Sequence, residues 1–398
     1  MQRPETLQST IKTALNQQYP NYSIIVSDNF SNDNTKEIVT SFNSAKITYI
    51  NPGCRLSMSK HWEFALTHVE EGYVTILGDD DGVLPGALQK VANILHQYPL
   101  PVIGWRFCNF NWKGLSPHFS IPLANYFRIV DAAKEINTIF AQSIYASIEF
   151  PSLYGGFISI DLINKLKQEN GGIFFHSRIP DFFSGALVAA SVKKYIRLDF
   201  PITINATSKY STGFAVVNKD HKQSAFTNLQ KGDDNIPFHK NLLFIRSIVV
   251  PISEALMRVH ELQPEFPQVD IKKMLTAVAA EASAVNSADE FTALQGGIEA
   301  IAALNNLKEY GNELIKSMVH RPAQQKVKKK FSPVSLLLYV DTTNTNIDTV
   351  EDACNFANNV IFKKYSRLII PGAKNYYRIK ATLLYFYLKF LSPQKKYF

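Results

Sequence analysis

The stretch that most restricts the fold is Tyr73-Val74-Thr75-Ile76-Leu77-Gly78-Asp79-Asp80-Asp81. Its first five residues are apolar or β-branched and predict a buried strand, with three carboxylates at the strand's C-terminal end. Pro85 and the spaced Leu84, Leu88, Val91 and Leu95 then predict a helix. Three adjacent acids repel one another and are costly unless positive charge lies among them. After the triplet no Lys or Arg comes before Lys90, so the expected compensating charge is a bound divalent cation. A helix cap would explain one of the acids but not all three.

The flanking sequence places this stretch in an α/β unit. Pro4, Leu7, Ile11 and Leu15 predict a first helix, and Tyr22 to Val26 a strand ending in Ser27-Asp28-Asn29-Phe30-Ser31-Asn32-Asp33. A helix carrying Ile38, Val39 and Phe42 follows. A strand from Ile47 to Ile50 and a helix through Met58, Trp62 and Ala65 complete the alternation. Helices alternating with short apolar strands predict a largely parallel sheet. Ligands bind beyond the carboxyl ends of such strands, where both Asp28 and Asp79 to Asp81 fall. Beyond the strand at Val102 to Trp105 the pattern loosens through Phe107 to Phe127. Helices are predicted from Asp131 to Ile144, Asp161 to Lys167 and Ile179 to Ala190, with a turn and strand at Leu153 to Ile158 and strands at Tyr195 to Leu198 and Ile202 to Ile204. Ala206 to Gly213, with Lys209, reads as a polar mobile loop.

From about Asn218 the composition changes. A polar stretch to Asp234 leads into helical patterns at Leu242 to Leu262 (broken near Pro251), Ile271 to Val285 and Ala288 to Leu307, the last with Ser287 and Glu290 as a capping box. A basic linker, His320 to Pro333, precedes a small strand-and-helix piece from Val334 to Phe362. The final segment sets Lys374, Arg378, Lys380, Lys389, Lys395 and Lys396 among Tyr, Phe and Leu without one acid. Such a pattern suits an anionic membrane surface, or a helix docked on the protein's own core. No nucleic-acid module accompanies it, so nucleic acid is not an expected partner. The net charge of +8 over 398 residues fits an anionic partner generally. Cys54, Cys108 and Cys354 lie far apart and read as reduced thiols, and no signal peptide or bilayer-length apolar run is present. The expected location is cytoplasmic, either free or peripheral on the inner face of the plasma membrane.

Taken in order, Arg3-Pro4-Glu5-Thr6-Leu7, Ser27 to Asp33, Gly78-Asp79-Asp80-Asp81 with Pro85, and Asp181 resemble the nucleotide-sugar-binding half of family 2 glycosyltransferases. The resemblance implies a GT-A, Rossmann-like fold with a mostly parallel sheet over residues 1–215, followed by a helical region at 216–330 and a small α/β and basic helical piece at 331–398. It implies an inverting transfer of a sugar from a nucleotide-diphosphate donor, a UDP-sugar first of all, to a hydroxyl of a cell-surface glycan or lipid-linked acceptor. Asp28 takes the place of the residue that accepts from the nucleotide base; a turn-forming Asp is its bland alternative. Asp80 aligns with the ligand of Mg²⁺ or Mn²⁺, Asp79 with a ribose or outer partner, and Asp81 with either. Gly78 stands where many members carry the motif's first Asp. Asp181, beside Phe182 and Phe183, matches the catalytic base, with an N-cap Asp as alternative. Arg3 and Lys60 are candidate donor contacts, and Lys209 and His221 candidates to close over the diphosphate. Members usually begin with an apolar strand before the Arg-Pro-Glu segment. Here only Met1-Gln2 precede it, so the domain is expected to lack its first strand, either through an upstream start or through truncation. The rival readings are an inactive remnant that binds partners or membrane, and a nucleotidyltransferase, which lacks support for want of a Gly-rich phosphate loop.

Overall fold

Residues 4–142, 149–209, 211, 236–322, 331–332, 335–343, 345–362, 381–387 and 389 are described by a computed structural model. The order of elements follows the predicted alternation through the first hundred residues. Helix α1 (Pro4–Leu15) opens on Pro4, whose missing N–H has no partner to lose in a first turn. It leads to β1 (Ile24–Ser27), α2 (Thr35–Ser41), β2 (Ile47–Ile50) and α3 (Met58–Leu66). The Ser57 side chain caps α3 by accepting from the Lys60 N–H. Strand β3 (Tyr73–Val74) is shorter than the sequence predicts. Beyond it, the Thr75 hydroxyl and the Ile76 N–H both turn to the Leu153 carbonyl, at 3.0 and 2.7 Å. Next come β4 (Gly82–Val83), α4 (Ala87–Gln97) and β5 (Val102–Asn111).

The region that looked loose is sheet. It contains β6 (Phe119–Pro122) and β7 (Phe127–Asp131), followed by α5 (Ala132–Gln142), β8 (Gly156–Ser159), α6 (Ile160–Glu169), α7 (Pro180–Ser191) and β9 (Lys194–Thr207). Strand β9 unites the two strands predicted near 195 and 202 and takes in Ala206, which the sequence reading gave to a loop. Pro201 lacks an N–H for the ladder, and it falls where the register against β5 shifts, opposite Arg106.

The sheet is mixed, where a mostly parallel one was expected. Strands β1 and β2 pair in parallel as a separate two-stranded sheet. In the nine-stranded sheet, β5 and β9 are parallel, while β8 and β6 on β5, and β4 and β7 on β9, are antiparallel. Hairpin β10 (Phe331–Ser332) and β11 (Leu337–Val340) extends it through β11 against β6. Leu337–Val340, within the small α/β piece predicted at 331–398, thus extends the main sheet. Helix α12 (Val350–Phe356), with its Thr349 and Asp352 capping box, packs on α1 and on β4, where a Cβ on Gly82 would come within 2.7 Å of Val350.

The helical region comprises α8 (Val249–Leu262), α9 (Ile271–Ser283), α10 (Ala288–Leu304) and α11 (Lys308–Ser317). Pro251, expected to break a longer helix, lies in the first turn of α8, where an N–H is dispensable. Helix α8 packs along α7, and one apolar core runs from Leu66 through Phe183 and Leu187 to Val250, Leu256, Met274 and Ile298. The helical region and the sheet domain therefore share an interior.

Candidate functional site

The acidic turn is held by the protein's own donors. Asp81 is 1% exposed. Its Oδ2 accepts from the Gly78 N–H at 2.9 Å and from the Tyr154 hydroxyl, and its Oδ1 accepts from the Ala206 N–H of β9 at 2.7 Å. Gly78 is what makes room for this carboxylate, since a Cβ there would lie 2.6 Å from Asp81 Oδ2. Asp80, also buried, receives the hydroxyls of Ser208 at 2.7 Å and Ser211 at 2.5 Å on the same Oδ2. The backbone of the turn is pinned as well. Thr10 of α1 donates to the carbonyls of Asp79 and Asp81, and Trp112 donates to that of Asp80. Burial first, and then the neighbouring Asp80 charge, push the Asp81 pKa well up. Asp79 is half-buried.

Asp181 lies in the first turn of α7, where Pro180 sets the helix start. Its Oδ1 is enclosed and has no hydrogen-bond partner. Burial raises its pKa to about 6, against the opposing pull of the Phe182 and Asp181 N–H groups. A chain of contacts brings it beside the acidic turn. Ser184 donates to the Asp181 carbonyl at 2.9 Å and accepts from the Leu153 N–H at 3.3 Å, and the next residue, Tyr154, donates to Asp81. Burial and the charges of Asp81, Asp80 and Asp181 together push the Tyr154 phenol far up. Of the sequence-predicted acids, Asp81 bonds this tyrosine, and the charges of Asp80 and Asp181 act on it.

Asp28, at the end of β1, is 6% exposed and accepts from the Ser31 N–H (3.0 Å), the Tyr49 hydroxyl (2.7 Å) and Asn51 Nδ2 (3.1 Å). Burial alone would raise its pKa; these hydrogen bonds outweigh burial and lower it. His61 of α3 shares a 2.8 Å hydrogen bond with Ser27, and burial, followed by the Arg55 charge, holds its pKa down to about 4. It is therefore neutral near pH 7. The next residue, Trp62, stacks on Tyr154 with ring centroids 6.4 Å apart. Helix α3 thus borders both the Asp28 end and the Asp81–Asp181 end.

Lys60 lies on the wall of a cavity beside Glu63, His176 and Arg258. Lys209 is exposed just after β9. Arg3 and His221 lie outside the described residues, as do most of the basic linker and most of the C-terminal basic segment. Sequence reasoning missed Tyr154, Tyr49, Asn51, Ser208 and Ser211. The Asn, Ser and Tyr residues are too common for any local pattern to single them out; only their contacts do so.

Among the described residues no group of three or more His, Cys, Asp or Glu side chains is arranged to hold a metal. The residues present fit a cation in one limited way. Asp81 has both oxygens engaged by protein donors, whereas the two hydroxyls on Asp80 converge on one oxygen. One or two carboxylates suffice for Mg²⁺ when a diphosphate completes its shell.

Residues 1–154 match the model of Glycosyl transferase family 2. No curated protein sequence matches the chain. Among solved structures, S. aureus TarS 1-349 in complex with UDP-GlcNAc is similar at 12% identity and a TM-score of 0.43, covering 78% of this chain and 85% of that one. Mannosyltransferase PcManGT from Pyrobaculum calidifontis, in complex with GDP-Man and Mn²⁺, is similar at 16% identity and a TM-score of 0.37, covering 79% and 82%.

Proposed function

We propose, from the match of residues 1–154 to the glycosyl transferase family 2 model, that the chain is an inverting, metal-dependent glycosyltransferase with Asp181 as its base. The observation that carries this reading is the enclosed, unpartnered Oδ1 of Asp181, whose charge is felt by the Tyr154 that donates to the acidic turn. The reaction needs a group that takes the acceptor's hydroxyl proton as that oxygen attacks the anomeric carbon. A carboxylate with a pKa of about 6 is ionised at neutral pH and more basic than an exposed one. An oxygen with no internal partner has a lone pair to offer. As the acceptor oxygen bonds to the anomeric carbon, the bond to the donor's diphosphate breaks and the nucleoside diphosphate leaves.

Asp80, with Asp79 beside it, is the residue that would hold Mg²⁺ or Mn²⁺ together with the donor's diphosphate. When bound, such an ion neutralises charge developing on the leaving group. Asp81 keeps the turn in place through Tyr154, Gly78 and Ala206. At the far end, Asp28, set by Tyr49 and Asn51, faces the nucleotide base; a carboxylate has room for roughly four donors and three are supplied internally. Resemblance supports a UDP-sugar as donor and a cell-surface glycan or lipid-linked hydroxyl as acceptor.

The test is donor hydrolysis over a panel of UDP- and GDP-sugars with and without Mn²⁺. The expected result is release of nucleoside diphosphate that needs the metal and is abolished by Asp181→Asn. Nucleotide-sugar turnover that survives Asp181→Asn overturns the assignment of the base. Release of free diphosphate points instead to nucleotidyl transfer.

A further inference from the structure

The helical region contains a buried carboxylate that the proposed reaction does not use. Glu254 of α8 is 0% exposed, and its Oε2 accepts the Ser177 hydroxyl at 2.5 Å while Arg258 Nε lies 3.1 Å from its Oε1. Burying a carboxylate this completely is costly even with partners, and its pKa is raised by that burial. The segment it grips is the one that leads into α7. Ser177, itself 0% exposed, accepts from the Ile179 N–H at 3.2 Å through the same Oγ that donates to Glu254. Its orientation is thereby fixed from both sides, and it ties α8 to the residue two before Asp181.

The same segment is held from the opposite side by α3. Ser59 donates to the Ser177 carbonyl at 2.6 Å, and Glu63 Oε2 accepts the N–H groups of Phe174 and Phe175 at 3.0 and 3.2 Å. Beside this segment a cleft opens to the surface, where Ile173 is exposed. A cavity of about 270 Å³ is walled by Lys60 and Glu63 of α3, Phe175 and His176 of the segment, and Arg258 and Leu262 of α8. Phe174 and Phe175 are anchored in the apolar core, and the hydrogen bonds from α3 and α8 fix the backbone that continues from them to Asp181.

We propose that Glu254 is a positioning residue that acts through Ser177 to set the start of α7, and hence the place of Asp181, so that the helical region completes the catalytic centre. The proposal rests on the reading of Asp181 as the base. A base displaced by about 1 Å loses rate steeply while substrate affinity, set elsewhere, is spared.

The experiment compares Glu254→Ala, Glu254→Gln, Ser177→Ala and the Glu254→Ala/Ser177→Ala double variant. Each is assayed for hydrolysis of the nucleotide sugar that the wild-type protein turns over fastest, and each is checked for a native melting transition. Ser177→Ala and Glu254→Ala are expected to lower kcat roughly tenfold or more, with the donor KM within about twofold of wild type. Glu254→Gln keeps an acceptor oxygen for Ser177 and should restore most of that loss. The double variant should be no slower than the slower single one, since both act through one contact. A folded Ser177→Ala with wild-type kcat overturns the proposal, as do losses that multiply in the double variant or a KM that rises in step with the fall in kcat. Should Glu254→Ala fail to fold, Ser177→Ala and Glu254→Gln carry the same test. Asp181→Asn serves as the reference: an inactive Asp181→Asn beside a fully active Ser177→Ala overturns the clamp alone, whereas an active Asp181→Asn overturns the base.

Discussion

Two enclosed aspartates a short distance apart, Asp81 in the acidic turn and Asp181 at the start of α7, have opposite surroundings. Asp81 receives three protein donors on its two oxygens, while Asp181 keeps one enclosed oxygen with none. Burial raises the pKa of both. The difference lies in what each costs and returns. A buried carboxylate answered on every side fixes the chain around it, whereas one left unanswered weakens the fold and keeps a lone pair uncommitted. Of two similar residues, the less well satisfied is the better candidate for chemistry.

The comparison breaks first at Asp181→Asn. Turnover of the donor should fall by about 10²- to 10⁴-fold, the usual value of a general base, measured as nucleoside diphosphate released. If Asp181 is the base, the wild-type rate should climb with pH and level off above about 6, to which burial raises its pKa. The same substitution should make the protein more stable at pH 7. The folded Asp181 holds its proton more tightly than an unfolded carboxyl of pKa 3.8. The stability linked to that proton is therefore full below 3.8 and is lost as pH rises through about 6. Asparagine never ionises, so the variant should gain on the order of 2 to 3 kcal/mol over wild type at pH 7 and nothing below pH 4, read from urea midpoints. A melting curve that moves the other way at pH 7 would show that Asp181 is structural after all.

Asp81→Ala should do the reverse. It strands the Tyr154 hydroxyl and two backbone N–H groups at roughly 1 to 3 kcal/mol each; with the cost of the buried carboxylate itself relieved, a net loss of about 3 to 5 kcal/mol in urea unfolding is expected. A loss under about 1 kcal/mol would mean that water or another acceptor replaces the carboxylate, and the contrast with Asp181 would collapse. Gly78→Ala is expected to cost about 1 to 3 kcal/mol by the same assay, because its Cβ would meet Asp81 Oδ2 at 2.6 Å. Smallest is Tyr154→Phe, at about 1 to 2 kcal/mol. The ring stays against Trp62 and only the donated hydrogen bond goes. If this variant also loses turnover a hundredfold, Tyr154 belongs with Asp181 in the chemistry.

The α/β alternation, the acidic turn and the place of Asp181 were legible because each is written in adjacent residues: apolar runs, a triplet of acids, a proline at a helix start. What the acids do was not legible. The sequence marks Asp79 to Asp81 as a place for a cation but not the protein donors that hold the turn, Ser208, Ser211, Tyr154 and Ala206, which lie 70 or more positions away and whose types recur throughout the chain. The sequence shows two apolar pieces, Tyr195 to Leu198 and Ile202 to Ile204, and the irregular register at Pro201 lets one strand, β9, carry both. Pro251 misled, since a proline in a first turn and a proline that breaks a helix look alike until the start of the helix is known. The link from Glu254 to Ser177 has no local signature at all.

The pairing of β11 with β6 has a consequence for synthesis. Phe119–Pro122 receives its partner from Leu337–Val340, more than two hundred residues later. At a ribosomal pace of roughly 5 to 20 residues per second, that edge of the nascent sheet waits on the order of ten seconds or longer for its cover. An apolar strand edge left open for so long is a template for the wrong neighbour. Production yield in cells should therefore depend on chaperone supply and elongation speed more than the stability of the finished protein would suggest.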